Sequence, residues 1–350
     1  MFKKSCLALA LATTLPTVSY ADATLYGSFR LGMFKTDNKS AVLDDYASRI
    51  GVRGSVDLGL ENTQGIFHWE QGLSLNTGAL LSGGRYASVG AKGDWGTLLG
   101  GKIDHPTYAY VGSANEFAMS ALPTGLDVGY VANGSKPQKG FRADRRIGNS
   151  LAYVTPNLQG FEAMVAGVFG GENPASSVLL GNSAQKDKTL DGYNLGVKYT
   201  WQDLTLATAY GAVKSKKDAA GVYQVDANLW GMAARYKWEN FRFAAKYEQS
   251  KDKISGLNDK GIGLNAGYEL NGFGGSIGYT TTKQETKDRE KALAVELHRR
   301  MGKGVIALGY VDYNSAAVDP ANSYDGTTER ALTPMFGGND TAYLTYRLQF

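Results

Sequence analysis

Apolar and polar side chains alternate along most of this chain with a period of two. In YNLGVKYTW, Tyr193, Leu195, Val197, Tyr199 and Trp201 fall on one face, with Asn194, Lys198 and Thr200 on the other. NFRFAAKYE sets Phe241, Phe243, Ala245 and Tyr247 against Arg242, Lys246 and Glu248, and IFHWEQGLSL sets Phe67, Trp69, Leu73 and Leu75 against His68, Glu70 and Ser74. Successive side chains of a strand point to opposite faces, so each run reads as a β-strand with one apolar side. The other side carries charges that a packed core would not hold unpaired. The final ten residues, TAYLTYRLQF, keep the pattern to the last position, with Ala342, Leu344, Tyr346, Leu348 and Phe350 on one face. Chain ends fray unless something ties them down, so Phe350 needs a cover.

Sixteen such segments begin near residues 23, 47, 64, 84, 96, 146, 160, 191, 203, 227, 240, 260, 273, 290, 304 and 341. Between them, tight turns such as ENTQG (61–65), GDWG (93–96), WENF (238–241) and LNGF (270–273) alternate with long polar stretches around 35–46, 105–145, 171–190, 214–226, 250–260, 283–289 and 315–340. A tilted strand crosses a bilayer in about 9–11 residues. Short turns at one end and long loops at the other, on an even set of antiparallel strands, mark an outer-membrane β-barrel. In lipid every backbone amide must find an internal partner, so a spanning sheet has to close on itself. A soluble sandwich would need these apolar faces to meet in a core, and no linker divides the chain into the several domains this would require. No fixed-period repeat supports a solenoid. The expectation is an all-β, sixteen-stranded antiparallel transmembrane barrel in which the last strand pairs with the first, ATLYGSFRLGMF, and lipid covers Phe350. KDREKALAVELHRRMGKG (287–304) also fits an amphipathic helix; strand is the expectation there because an odd count would leave the termini unable to pair antiparallel.

Composition agrees with this. The 350 residues include 45 Gly, 21 Tyr and 8 Pro, with a mean hydropathy of −0.27. No internal stretch approaches the roughly 20 apolar residues of a spanning helix. MFKKSCLALALATTLPTVSYA begins with Lys3 and Lys4, continues through an apolar run and ends in Ser19-Tyr20-Ala21, the pattern of an export signal cleaved after Ala21. Its removal takes away Cys6, the one cysteine, so no disulfide framework is available. The net charge of +4 falls to +2 without Lys3 and Lys4, which offers nothing to a nucleic acid.

SRIGVRGSVDLG (48–59), RYASVGAKGDWGTLLGGKIDHPTY (85–108), RRIGNSLAYVTPNLQGF (145–161), YNLGVKY (193–199) and the terminal YRLQF resemble the general diffusion porins of Gram-negative bacteria, in particular their neisserial and betaproteobacterial branch. The resemblance runs in order along the chain. It implies a homotrimer in the cell outer membrane, in contact with lipid and lipopolysaccharide, with short periplasmic turns and long extracellular loops. The third loop, here about 104–145, would fold into each lumen. It also implies assembly by the barrel assembly machinery through the C-terminal strand with Tyr346, Leu348 and Phe350, and no cofactor or metal.

A cylinder of sixteen strands is too wide for side chains to fill and holds water, so charges at its narrowest point set selectivity. Alternation in SRIGVRG turns Ile50 and Val52 outward and Arg49 and Arg53 into the lumen. By resemblance, Arg49, Arg85 and Arg146 stand where that branch carries its basic wall, with Lys102 as neighbour; Glu116 and Asp127 of the third loop would face them. The function expected is passive passage of ions and small hydrophilic solutes, with weak anion preference. A substrate-specific channel is the alternative, yet the aromatics of the third loop, Tyr108, Tyr110, Phe117, Tyr130 and Phe141, are scattered. His68, His105 and His298 lie in no catalytic context. Asp319 and Asp325 in the last long loop read as solvated residues rather than as a cation site.

Overall fold

A computed structural model describes residues 22–80, 84–117, 146–169, 190–214, 226–254, 256, 258–283, 288–314 and 340–350. The expected export segment at 1–21, the rest of the 104–145 stretch with Asp127, and the stretch carrying Asp319 and Asp325 lie outside the described residues. Strands follow one another as β1 (Asp22–Thr36), β2 (Val42–Asp45), β3 (Arg49–Leu60), β4 (Thr63–Gly72), β5 (Tyr86–Gly93), β6 (Gly96–Asp104), β7 (Arg146–Val154), β8 (Phe161–Val168) and β9 (Gly192–Trp201). They continue as β10 (Leu204–Lys214), β11 (Asp226–Trp238), β12 (Phe241–Asp252), β13 (Asn258–Leu270), β14 (Phe273–Lys283), β15 (Glu290–Met301), β16 (Gly304–Tyr313) and β17 (Thr341–Gln349). β2 and β3 both pair with the same edge of β1, Met33 opposite Leu43 and Leu25 opposite Val52. They form one strand broken at 46–48, where Ala47 has a φ of 67°. The ring therefore contains sixteen strands, each paired antiparallel with its neighbours in sequence.

β17 closes the ring on β1, with Phe29 opposite Leu348, Arg30 opposite Arg347 and Thr36 opposite Thr341. Gly27 and Phe350 exchange two backbone hydrogen bonds of 3.1 and 3.2 Å. The Phe350 ring occupies the place a Cβ on Gly27 would take, and meets Phe29 edge-on at 5.3 Å. Closure leaves no exposed edge to recruit another chain. At the short-turn end, Asn271 and Gly272 both adopt positive φ (50° and 79°), the two-residue turn whose twist matches the flanking strands.

Burial is inverted relative to a soluble protein. Leu195, Val197, Met232, Leu264, Ile277, Val295, Leu308, Leu344 and Phe350 are exposed on the outer face, while Asn194, Lys246, Glu248, Asn265, Glu296 and Thr345 are buried on the inner one. An apolar outside and a polar inside are what lipid outside and water inside select. Within 287–304, Glu290–Met301 form β15, hydrogen-bonded to β14 and β16, with Leu293, Val295 and Leu297 outward. Its helical propensity yields because flanking strands satisfy a ladder on both sides.

Candidate pore lining

Alternation and register bring the predicted arginines of the β3–β5 wall together. On β3, Gly51 stands opposite Glu70 of β4, and Glu70 lies next to Tyr86 of β5. Glu70 is buried and accepts hydrogen bonds from Arg85 Nε and, at 2.8 Å, from the Tyr26 hydroxyl; Arg49 Nε lies 3.4 Å away. Tyr26 also contacts His68 Nε2 at 2.6 Å, and the His68 ring stacks on Tyr86 at 4.4 Å. Tyr86 donates to Asp104 at 2.6 Å, with the Arg146 guanidinium 4.9 Å above its ring. Arg53 sits 5.0 Å from the centre of the Tyr26 ring. Arg49, Arg53, Arg85 and Arg146 thus share one lumen-facing patch, held by the Glu70 carboxylate and by aromatic faces that attract cations.

Lys102 departs from expectation. It stands where the β6–β7 register shifts, with the extra residue on β7 between Ile147 and Ser150, and its partner across β5 is Ala87. Facing residues of a ladder share a side, so Lys102 stands with exposed Val89 and Trp69 on the outer face, not with Arg49 and Arg85. Counting by twos from exposed Leu98 also puts Lys102 outward; the expectation rests on the resemblance and not on alternation, and the bulge lies on the facing β7.

The described part of the third loop runs along the opposite inner wall. After β6, His105 is fully buried, bonded to Ser150 Oγ at 2.8 Å and to Asn194 Nδ2 at 2.9 Å; burial pushes its imidazole down to about 4. A wide helical turn, Thr107–Gly112, follows. Its Thr107 hydroxyl donates to Asn194 at 2.9 Å and its Tyr110 hydroxyl to Glu162 at 2.8 Å, with Lys198 2.9 Å from the same carboxylate. Lys246 Nζ donates to the Gly112 carbonyl at 3.0 Å, and Arg235 to that of Ser113. Two glycines make room: a Cβ on Gly196 would come within 2.6 Å of Pro106, and one on Gly231 within 2.9 Å of Val111. Glu116 donates its backbone N–H to Asn265 at 2.8 Å, and its carboxylate lies 3.9 Å from Arg235. Burial raises the Glu116 carboxyl, opposed by Arg235 and Arg242. Phe117 then packs with Phe34, Tyr46 and Tyr343.

Between wall and loop lies a cavity of ~630 Å³ lined by Arg53, His68, Tyr86, Asp104, Tyr110 and Glu162, among others. Glu70, which holds Arg49 and Arg85, and Asp104, which accepts from Tyr86, were not among the predicted site residues. Glu70 was legible as an inward position from its alternation with His68. Asp104, beyond the bulge, was not. No group of three or more His, Cys, Asp or Glu side chains able to hold a metal occurs among the described residues.

A closed antiparallel barrel with a greasy exterior and a charged, water-accessible interior defines an outer-membrane channel. A family model described as Gram-negative porin matches residues 7–319, and the chain belongs to that family. Over 178 residues it is 33% identical to "Major outer membrane protein P.IB" of Neisseria gonorrhoeae, an alignment covering 47% of each protein. It is 24% identical over 339 residues to "Major outer membrane protein P.IA" of Neisseria meningitidis serogroup C, covering 88% of this chain and 83% of that one. The chain spans about half the length or less of the P.IB relatives it matches. Among solved structures, the "Anion-selective porin from Comamonas acidovorans" superposes with a TM-score of 0.72 at 17% identity, covering 95% of this chain and all of that one. At that identity the likeness speaks for the fold.

Proposed function

We propose that the chain forms a water-filled pore for passive passage of ions and small hydrophilic solutes, with a mild preference for anions. The observation that carries this is the β3–β5 wall: Arg49, Arg53, Arg85 and Arg146 face the lumen opposite an inserted loop, and the described carboxylates among them are Glu70 and Asp104. Fixed charge of one sign at a narrow, low-dielectric passage concentrates counter-ions of the other. Glu116, and Asp127 beyond the described residues, supply the acidic side of the constriction. The anion selectivity of the Comamonas porin is in keeping with this sign.

The working form is a homotrimer, processed after Ala21 and inserted through a C-terminal strand whose Tyr346, Leu348 and Phe350 point outward. Lipopolysaccharide contact is supported by the outer face near the long-loop end. Lys214, Lys251, Lys253, Lys260, Lys283 and Lys291 stand there on outward positions of β10–β15 or just beyond β12, with Asp226 held 3.0 Å from Lys214 and 3.5 Å from Lys253. Such a belt, set above an apolar band, suits anionic headgroups.

The test is incorporation of the purified, processed protein into planar bilayers and liposomes. Stepwise ohmic conductance, with sugars entering at rates that fall smoothly with size, is the expected result. A protein that inserts without conducting, or that admits one sugar far faster than its isomers, contradicts the proposal; the latter outcome favours a substrate-specific channel.

A further inference from the structure

Arg30 of β1 and Arg347 of β17 are direct partners across the seam that closes the barrel. Like charges facing each other on neighbouring strands repel, and both side chains are buried, at 3% and 8% exposure. Arg30 is held firmly. Its Nε donates to Ser28 Oγ at 2.9 Å, its backbone N–H donates to Ser48 Oγ at 2.8 Å, and buried Tyr46 packs close by. Yet Arg30 Nη1 and Arg347 Nε are buried N–H donors with no hydrogen-bond acceptor. Neither guanidinium lies within 4.0 Å of a carboxylate among the described residues.

The charges around the pair deepen the deficit. Those felt by Arg30 include Arg49, Arg347 and Arg85, all repulsive. Arg347 also feels Arg300; Glu296 is its acidic neighbour, but that carboxylate accepts the Tyr343 hydroxyl at 3.1 Å and is 3.9 Å from His298. Leaving one buried charge uncompensated costs several kcal/mol, and here two are set side by side at the closing joint. Sequence placed a basic wall at Arg49, Arg85 and Arg146 and gave no role to Arg30 or Arg347.

We propose that Arg30 and Arg347 form a binding site for one inorganic oxyanion of the phosphate or sulfate class, which bridges the seam. Guanidinium forks match tetrahedral oxyanions. An oxyanion offers separate acceptor oxygens to two donors carried on neighbouring strands, whereas a halide offers one point. The site rests on the pore reading only for the anion's route through the lumen. The bound anion satisfies both donors, cancels the repulsion across the joint and holds β1 to β17.

The test is heat-induced unfolding of the refolded protein in detergent, titrated with sodium phosphate against sodium chloride at constant ionic strength. Phosphate well above half-saturation is expected to slow unfolding about tenfold, through ligand binding to the folded state alone. Equilibrium dialysis with radiolabelled phosphate should find one anion lost per chain on going from the wild type to Arg30→Gln/Arg347→Gln. That double variant should lose the phosphate effect, and Arg49→Gln/Arg85→Gln should keep it. Equal behaviour of the wild type in phosphate and chloride overturns the proposal, as does a phosphate effect that survives loss of the seam pair. If the double variant does not refold, the wild-type titration and the single variant Arg347→Gln carry the same decision. Conductance is not the readout, so failure here leaves the pore reading standing.

Discussion

On the β3–β5 wall, Arg49 and Arg85 share the single carboxylate of Glu70. Under the third loop the cations are used differently: Lys246 donates to the Gly112 carbonyl, Arg235 to that of Ser113, and Lys198 pairs with Glu162. The two stretches line the same lumen and are similarly basic in composition. They differ in what their charges are spent on. Beneath the loop each of these three cations is fixed to a carbonyl or a carboxylate and acts as a peg. On the wall, guanidiniums crowd around few acids and retain field for a passing ion. A count of Lys and Arg therefore says little about selectivity until the acceptors are known.

Removing the shared acceptor should produce the largest combined effect. Glu70→Ala leaves part-buried Arg49 and Arg85 without a counter-charge, and is expected to lower stability by about 1–3 kcal/mol in urea unfolding while making the pore more anion-preferring. Unchanged stability would mean that the wall needs no acid and that the contrast with the loop seat is false.

Acid should loosen the loop seat. His105 is held neutral, at about 4 against an ordinary 6.5. The unfolded segment takes up a proton below pH 6.5 and the seated one only near 4, so seating is fully stable above pH 6.5. It weakens on acidification to about pH 4, by on the order of 3 kcal/mol, and is flat below. Hydrogen exchange of residues 105–117 measured across this range should show the loss, and His105→Gln should flatten it.

Bulk at the seat comes next. Gly196→Val or Gly231→Val collides with Pro106 or Val111 and is expected to cost about 1–3 kcal/mol and to change single-channel conductance. Gly148→Ala, which meets no atom within 4 Å, should be near neutral and serves as the control. The smallest effect belongs to the outer face, where the Arg299 guanidinium lies 3.6 Å from the centre of the Phe273 ring. Arg299→Ala should cost about 0.5–1 kcal/mol in urea unfolding and leave ion selectivity untouched, separating lipid-side from lumen-side cations.

The barrel was legible because lipid and water impose a period of two, and every predicted strand start lies within a few residues of an observed strand. Even β15, helical by propensity, obeyed its neighbours. Arg49, Arg53, Arg85 and Arg146 lie on inward positions that alternation and the resemblance single out, and they come together on one inner patch. Lys102 faces outward, as counting by twos from Leu98 gives; its expected place on the wall came from the resemblance rather than from alternation. The helical turn at Thr107–Gly112 was invisible, since it depends on glycines of distant strands that admit it. The seam pair escaped because Arg30 and Arg347 stand 317 positions apart in sequence and become neighbours only on closure.

Reversal potential in planar bilayers under a salt gradient tests most directly whether the wall keeps field in hand. The account predicts an anion-preferring pore whose preference falls when Arg49, Arg85 and Arg146 are replaced by glutamine, and holds when Lys198 or Lys246 is replaced. A strongly cation-selective wild type, or a preference that follows the loop pegs instead of the wall, would contradict it.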